Sequence, residues 1–135
     1  MRTLWLRDRA LDLDRVRLLG VLNLTPDSFS DGGRYLDPER ALERAREMVA
    51  EGADILDLGA ESTRPGAAPV PVEEEKRRLL PVLEAVLSLG VPVSVDTRKP
   101  EVAEEALKLG AHLLNDVTGL RDERMVALAA RHGVA

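Results

Sequence analysis

The sequence has no cysteine, and aromatic side chains make up only 2% of its 135 residues. Without cysteine there is no disulfide framework, thiolate metal site or cysteine nucleophile. The scarcity of aromatic rings argues against a surface that stacks the bases of single-stranded nucleic acid. The formal net charge of -5 argues against bulk electrostatic binding to nucleic acid or to an anionic membrane. We therefore expect no nucleic-acid partner and no membrane partner.

Several targeting and catalytic signatures are also missing. No apolar run approaches the roughly 20 residues of a membrane span, and residues 1–9 lack the apolar stretch of a signal peptide. The sequence contains no Walker or dinucleotide fingerprint, serine elbow or zinc motif. A composition of 44% hydrophobic and 32% charged residues indicates one globular domain over residues 1–135. We expect a cytoplasmic protein, because the lack of cysteine fits a reducing compartment.

What the sequence does have is a repeated alternation of short apolar runs with helical patterns that end at glycine. Strands are predicted over 18–22, 54–58, 91–95 and 112–114, and helices over 38–51, 72–89, 100–110 and 122–132. Asp37 and Pro38 suit the start of the first helix, whereas Pro81 is expected to kink or divide the second. Residues 3–17 predict a short hairpin lying across one end of the sheet.

This alternation predicts an α/β fold with a parallel sheet. Polar residues end or directly follow the strands: Asn23, Asp57, Asp96, Asn115 and Asp116. Parallel α/β folds place their chemistry at these carboxyl ends. Two architectures fit, a doubly wound sheet or a (β/α)8 barrel, which needs about 250 residues. The chain would hold the first four βα units of a barrel and stops where a fifth strand should begin, which favours half of a barrel.

The residues at these strand ends offer specific chemistry, each with a structural alternative. Asn23 could ligate Mg²⁺ through its side-chain oxygen or bond nearby backbone. Asp96 could accept paired N–H groups from a 2-amino-4-oxopyrimidine ring or cap the following helix. The amide of Asn115 offers a donor and an acceptor to a heterocycle, and Asp116 is favoured as structural. Arg64 could receive an anion or lie in an ordinary solvated loop.

Two further segments leave alternatives open. The loop Asn23–Gly33 is too polar to be core, so Asp27 and Asp31 are either turn formers or functional groups of a mobile loop. Phe29, among polar neighbours, is favoured as a lid contact. The basic run Lys76–Arg78 is a small-anion site or, as we favour, a solvated helix face.

Four blocks of the chain together resemble dihydropteroate synthase. They are Asn23-Leu-Thr-Pro-Asp-Ser-Phe-Ser-Asp-Gly-Gly33, Asp57-Leu-Gly-Ala-Glu-Ser-Thr-Arg-Pro-Gly66, Val93-Ser-Val-Asp-Thr97 and Leu114-Asn-Asp-Val-Thr-Gly119. The first two are highly specific signatures, and the last two are weak alone but occur in the right order. The resemblance runs through essentially the whole chain and covers about the N-terminal half of the family's length.

The resemblance implies a (β/α)8 barrel of folate synthesis. The family joins p-aminobenzoate to 6-hydroxymethyl-7,8-dihydropterin diphosphate, which gives 7,8-dihydropteroate and diphosphate, with Mg²⁺ as cofactor. It is the target of sulfonamides, which mimic p-aminobenzoate. The resemblance also implies a homodimer for the full-length enzyme, with an interface mainly in the half that this chain lacks.

By resemblance, the position of Asn23 lies at the diphosphate and Mg²⁺, whereas Asp96 and Asn115 hold the pterin ring. The loop from Thr25 to Asp31 is implied to close over the site, and Asp31 to steady a cationic pterin intermediate. We accordingly assign catalytic roles to Asp31, Asp96 and Asn115. The substrate-binding positions are Thr25, Asp27, Ser28, Phe29, Ser62, Thr63, Arg64 and Pro65, together with Asp96 and Asn115.

Two departures from the family pattern stand out. Ala60 replaces a common glycine, and the family's C-terminal half, with its further pterin-binding Asp, active-site Lys and Arg–His pair, is absent from this sequence. We therefore expect negligible activity from the isolated chain. The alternatives are a barrel that binds methyltetrahydrofolate for methyl transfer, which would share the ring contacts of Asp96 and Asn115, and a non-catalytic pterin-binding fragment.

Overall fold

The computed structural model describes residues 3–6, 9–14, 17–24, 38–60, 71–116 and 122–134. Its elements, in chain order, are β1 (Thr3–Leu6), β2 (Arg9–Asp12), β3 (Leu19–Asn23), α1 (Pro38–Ala50), β4 (Ile55–Gly59), α2 (Val72–Leu87), β5 (Val93–Asp96), α3 (Pro100–Leu109), β6 (Leu113–Asn115) and α4 (Glu123–His132). Strands β1 and β2 pair antiparallel, as expected for the predicted hairpin, whose position across one end of the sheet stays a prediction. No helix in these ranges is both long and apolar enough to cross a bilayer.

The other strands form a parallel sheet in the order β3-β4-β5-β6, so each strand pairs with the next strand of the chain. The helices follow the same order, because α1 packs on α2, α2 on α3 and α3 on α4. A doubly wound sheet reverses its strand order at a switch point, and no reversal occurs in this described sheet. The arrangement is that of consecutive βα units of a barrel, as the sequence predicted.

The helix-covered face of the sheet is apolar. Leu22, Leu58 and Val95 are neighbours in the register, and all three are fully buried. Gly20 lies on the same face, where an added Cβ would lie only 3.1 Å from the sulfur of Met48. The absence of a side chain at Gly20 therefore allows α1 to approach the sheet closely.

The helix boundaries agree with the sequence prediction except at Pro81. Helix α2 runs unbroken from Val72 to Leu87 with Pro81 inside it, so Pro81 does not divide the helix, and the alternative of a kink stays a prediction. The missing N–H of Pro81 would have bonded to the carbonyl of Arg77, and both residues lie on the exposed side, where water can satisfy that carbonyl. Asp122 caps α4 by accepting the backbone N–H of Arg124 at 2.9 Å, whereas Asp37 lies outside the described residues.

Candidate functional site

The polar residues at the carboxyl ends of the strands form one row across the sheet. Asn23 pairs with Gly59, Gly59 with Asp96, and Asp96 with Asn115. Three residues selected from the sequence are thus brought to the same edge by the parallel register. Their side chains share one face, because the face of a strand alternates with every residue.

Gly59, in the middle of this row, has no side chain. A Cβ added at Gly59 would lie 3.4 Å from Cβ of Asp96 and 3.5 Å from its Oδ2. The side chain of Asp96 therefore lies beside the space that a residue larger than glycine would occupy. Gly59 itself is buried, whereas Asp96 beside it is half-buried.

Asp96 is not the cap of the following helix. The residue that precedes α3 in the capping position is Lys99, and its side chain makes no capping hydrogen bond. Instead, the backbone N–H of Lys99 donates to Oγ1 of Thr97 at 3.2 Å. Asp96 therefore does not occupy the capping position of α3, and its binding of a ligand stays a prediction.

A buried carboxylate on α2 holds the segment after Asp96 in place. Glu75 is only 1% exposed, its Oε2 accepts the hydroxyl of Thr97 at 2.6 Å, and its Oε1 accepts Nζ of Lys99 at 2.7 Å. Sequence reasoning missed this cluster. The available signal was that Glu75 shares the apolar stripe of α2 with Leu79, which is an unusual place for an acid unless it is paired.

The basic run on α2 is paired with acidic residues of its own helix. Arg77 and Arg78 both bond Glu74, and hydrogen bonds from Arg77 and then Arg78 lower the pKa of Glu74 to about 2. Lys76 likewise pairs with an acidic residue one turn earlier. Arg78 also donates to the backbone oxygen of Ala60 at 3.2 Å, which ties α2 to the end of β4. These contacts favour the helix-face interpretation over an anion site.

Asp57 is a second carboxylate on the same face of the sheet as Asp96. It lies two residues before Gly59, is 3% exposed, and accepts Nδ2 of Asn115 on its Oδ2 at 3.3 Å. Burial raises the pKa of Asp57, and hydrogen bonds from Ser94 and Asn115 oppose that rise. Oδ1 of Asp57 is buried and has no hydrogen-bond partner in the described part of the chain. Sequence reasoning noted this strand-end residue but assigned it no role.

The other selected residues lie in two segments outside the described residues, so their roles stay predictions. They are Thr25, Asp27, Ser28, Phe29, Asp31, Ser62, Thr63, Arg64 and Pro65. In the sequence, these segments begin two residues after Asn23 and two residues after Gly59.

The described residues contain no group of three or more His, Asp or Glu side chains that could hold a metal ion by themselves. Asn23 ends β3 with an exposed side chain and offers one amide oxygen. Such a donor fits Mg²⁺, which often binds through one or two protein oxygens, substrate phosphates and several waters.

Comparison with known proteins agrees with this arrangement. Residues 19–135 match the family described as pterin binding enzyme. The dihydropteroate synthase of Bacillus subtilis is 50% identical over 123 residues, which span 90% of this chain and 43% of that protein. A crystal structure of dihydropteroate synthase from Thermus thermophilus in complex with 4-aminobenzoate is 88% identical, with a TM-score of 0.83, and covers 98% of this chain and 46% of that one.

A second crystal structure of the Thermus thermophilus enzyme, in complex with 6HMPPP, superposes with a TM-score of 0.81 at 82% identity, covering 99% of this chain and 44% of that one. The chain thus spans somewhat less than half the length of these relatives.

Proposed function

Because this chain belongs to the family of pterin-binding enzymes, we propose that it is the N-terminal half of a dihydropteroate synthase barrel. The reaction joins p-aminobenzoate to 6-hydroxymethyl-7,8-dihydropterin diphosphate. The observation that carries the proposal is the single row of Asn23, Gly59, Asp96 and Asn115 at the carboxyl edge of the sheet.

The chemistry of the row suits a reduced pterin. Asp96 supplies two carboxylate oxygens that can accept the paired N–H groups of a 2-amino-4-oxopyrimidine edge. Asn115, its neighbour in the register, supplies an amide that both donates and accepts. Gly59, which is buried and has no side chain, leaves room for the side chain of Asp96 beside it.

The other end of the row suits the diphosphate. Asn23 would hold Mg²⁺ together with diphosphate oxygens and water. When bound, Mg²⁺ neutralises charge that accumulates on the departing diphosphate. Asn23 and Asp96 lie on either side of Gly59 in the register, so the row orients the diphosphate at one end and the pterin at the other.

In the proposed reaction the C–O bond to diphosphate breaks, and its electron pair leaves with diphosphate. The electron-rich dihydropterin stabilises positive charge on the exocyclic methylene. The nitrogen of p-aminobenzoate then forms the new C–N bond and releases a proton. The protein acts mainly by positioning and charge stabilisation, and the loop carrying Asp31 would close to steady the cation and exclude water.

The full-length enzyme would also use residues outside the row. Ser62, Thr63, Arg64 and Pro65 would shape the p-aminobenzoate and diphosphate region, together with Thr25, Asp27, Ser28 and Phe29. Sulfonamides would compete with p-aminobenzoate. The full-length enzyme would be a cytoplasmic homodimer that acts on these small molecules and not on nucleic acid or membranes.

The test uses a joined protein, in which this chain replaces the matching half of the 88% identical Thermus thermophilus enzyme. We expect this joined protein to release diphosphate only when both the pterin diphosphate and p-aminobenzoate are present, and a sulfonamide to suppress that release. The 135-residue chain alone is expected to show negligible turnover. A soluble, folded joined protein that released no diphosphate would contradict the proposal. Methyl transfer from methyltetrahydrofolate, measured in parallel, would instead favour the methyltransferase alternative.

A further inference from the structure

Asp57 lies directly behind the row of strand-end residues. Its register partner on β5 is Ser94, one step behind the pair formed by Gly59 and Asp96 on the same face. Its carboxylate is almost fully buried, yet it contacts Asn115, which is exposed at the edge of the sheet. Asp57 therefore connects the interior of the site to a residue that a ligand can reach.

The contact fixes the orientation of the Asn115 amide. An ionised carboxylate only accepts hydrogen bonds, so the NH₂ group of Asn115 faces Asp57, at 3.3 Å, in preference to its oxygen. This contact uses one N–H, and the second N–H and the carbonyl oxygen can then serve a ligand. Without Asp57, the amide could rotate by half a turn and exchange its donor and acceptor.

We propose that Asp57 is a positioning residue that holds the Asn115 amide in the orientation needed to read a heterocycle edge. This inference rests on the proposed function, since it assigns Asn115 to the pterin. Asp57 acts through Asn115 and does not itself touch the ligand.

The burial of Asp57 supports this role over a purely structural one. A buried carboxylate whose Oδ1 has no partner among the described residues lowers the stability of the fold. The raised pKa of Asp57 reports the same desolvation. An apolar side chain of similar size would avoid this cost, but it would remove the acceptor that Asp57 offers to Asn115 and to the buried hydroxyl of Ser94.

A double-mutant cycle in the joined protein tests the proposal. Affinity for 6-hydroxymethyl-7,8-dihydropterin diphosphate is measured by titration calorimetry for Asp57→Leu, Asn115→Ala and the double variant. We expect each single variant to bind roughly tenfold or more weakly, and the double variant to bind no more weakly than Asn115→Ala. Asp57→Asn keeps a carbonyl acceptor and should retain most of the affinity.

Stability provides the matched control. Asp57→Leu removes the desolvated carboxylate and also the acceptor of the buried Ser94, two effects of opposite sign, so we expect only a small change in its unfolding midpoint. Asp54 lies on the segment leading into the same strand, at the opposite end of the sheet, where its carboxylate accepts the backbone N–H of Leu18 at 2.9 Å. Asp54→Leu should lower the unfolding midpoint and leave the affinity unchanged.

Two results of the affinity measurements would overturn the inference, provided that the unsubstituted joined protein binds the pterin diphosphate. One is unchanged affinity in Asp57→Leu. The other is additive losses in the double variant, which would mean that Asp57 contacts the ligand itself.

Failure of the proposed function has a different signature, because then the unsubstituted joined protein does not bind the pterin diphosphate at all.

The side-chain amide signals of Asn115 in the joined protein, labelled with ¹⁵N, test the positioning without any ligand. One amide proton should exchange slowly with solvent, and Asp57→Leu should abolish this protection. Equal exchange in both proteins would overturn the inference.

Discussion

The two faces of the parallel sheet are built from the same strands but differ in the side chains that they carry. On the helix-covered face, Leu22, Leu58 and Val95 are fully buried and form part of the core. On the other face, Val21 is 46% exposed, and Asp57 is a buried charge with an unsatisfied oxygen in the described structure. The first face stabilises the fold by removing apolar surface from water, whereas the second retains groups that cost stability and offer chemistry.

Glu75, Thr97 and Lys99 form a cluster that joins α2 to the segment after β5, and breaking it should have the largest effect. Glu75→Ala removes the acceptor of both Thr97 and Lys99, so we expect the free energy of unfolding to fall by about 3–5 kcal/mol. Urea denaturation followed by circular dichroism measures this loss. Glu73→Ala, on the same helix but with a side chain that is 89% exposed, is the control and should be nearly silent. Equal stability of the two variants would contradict a role for the cluster.

Truncation on the covered face comes next. Leu58→Ala should lower the free energy of unfolding by about 2–5 kcal/mol, because it removes buried methyl groups and leaves a cavity against the helices. Val21→Ala, on the neighbouring strand but on the open face, should cost much less. The same denaturation measurement compares them, and a larger loss from Val21→Ala would invert our assignment of the two faces.

The free energy of unfolding should depend on pH through Asp57, on the face of the sheet opposite the helices. The raised pKa of Asp57 means that the folded chain holds this proton more tightly than the unfolded chain does. As pH rises from the pKa of Asp57 in the unfolded chain to its higher pKa in the folded chain, the stability that protonated Asp57 contributes is therefore lost. The difference in unfolding free energy between the unsubstituted chain and Asp57→Leu, measured from about pH 3 upward, isolates this effect. A difference that favours the unsubstituted chain more as pH rises would contradict the assignment.

The smallest effect is expected on the exposed side of α2. Arg77 pairs with Glu74, but Arg77 is largely exposed, so water and salt screen the pair. Arg77→Ala should leave both the unfolding midpoint and the affinity of the joined protein nearly unchanged. A loss of affinity comparable to that of Asn115→Ala would reopen the possibility that the run Lys76–Arg78 binds an anion.

Much of the fold was predictable because it follows from local patterns. Apolar runs alternated with helical patterns, and glycines such as Gly110, with a φ of 123°, marked the helix ends. The polar strand ends then predicted which residues lie together at one edge of the sheet, because a parallel register aligns the carboxyl ends of the strands. The unbroken passage of α2 through Pro81 was not predictable, since it depends on which side of the helix is exposed.

The contacts behind the site could not be predicted for a related reason. The pairing of Glu75 with Lys99 and the contact of Asp57 with Asn115 join residues 24 and 58 positions apart in the chain. The position of Glu75 within an apolar stripe was a signal, but the identity of its partners depends on how α2 packs against the segment after β5. Which polar residue binds a ligand and which one orients a neighbour likewise depends on burial.

In the proposed function, Asp96 binds the ring of a reduced pterin at the row from Asn23 to Asn115. Titration of the joined protein with 6-hydroxymethyl-7,8-dihydropterin diphosphate, with and without Asp96→Asn, tests it most directly. We predict that the variant binds roughly 10- to 100-fold more weakly, because it loses a carboxylate acceptor for paired N–H donors, with no change in its unfolding midpoint. Equal affinity of the two proteins would contradict the account.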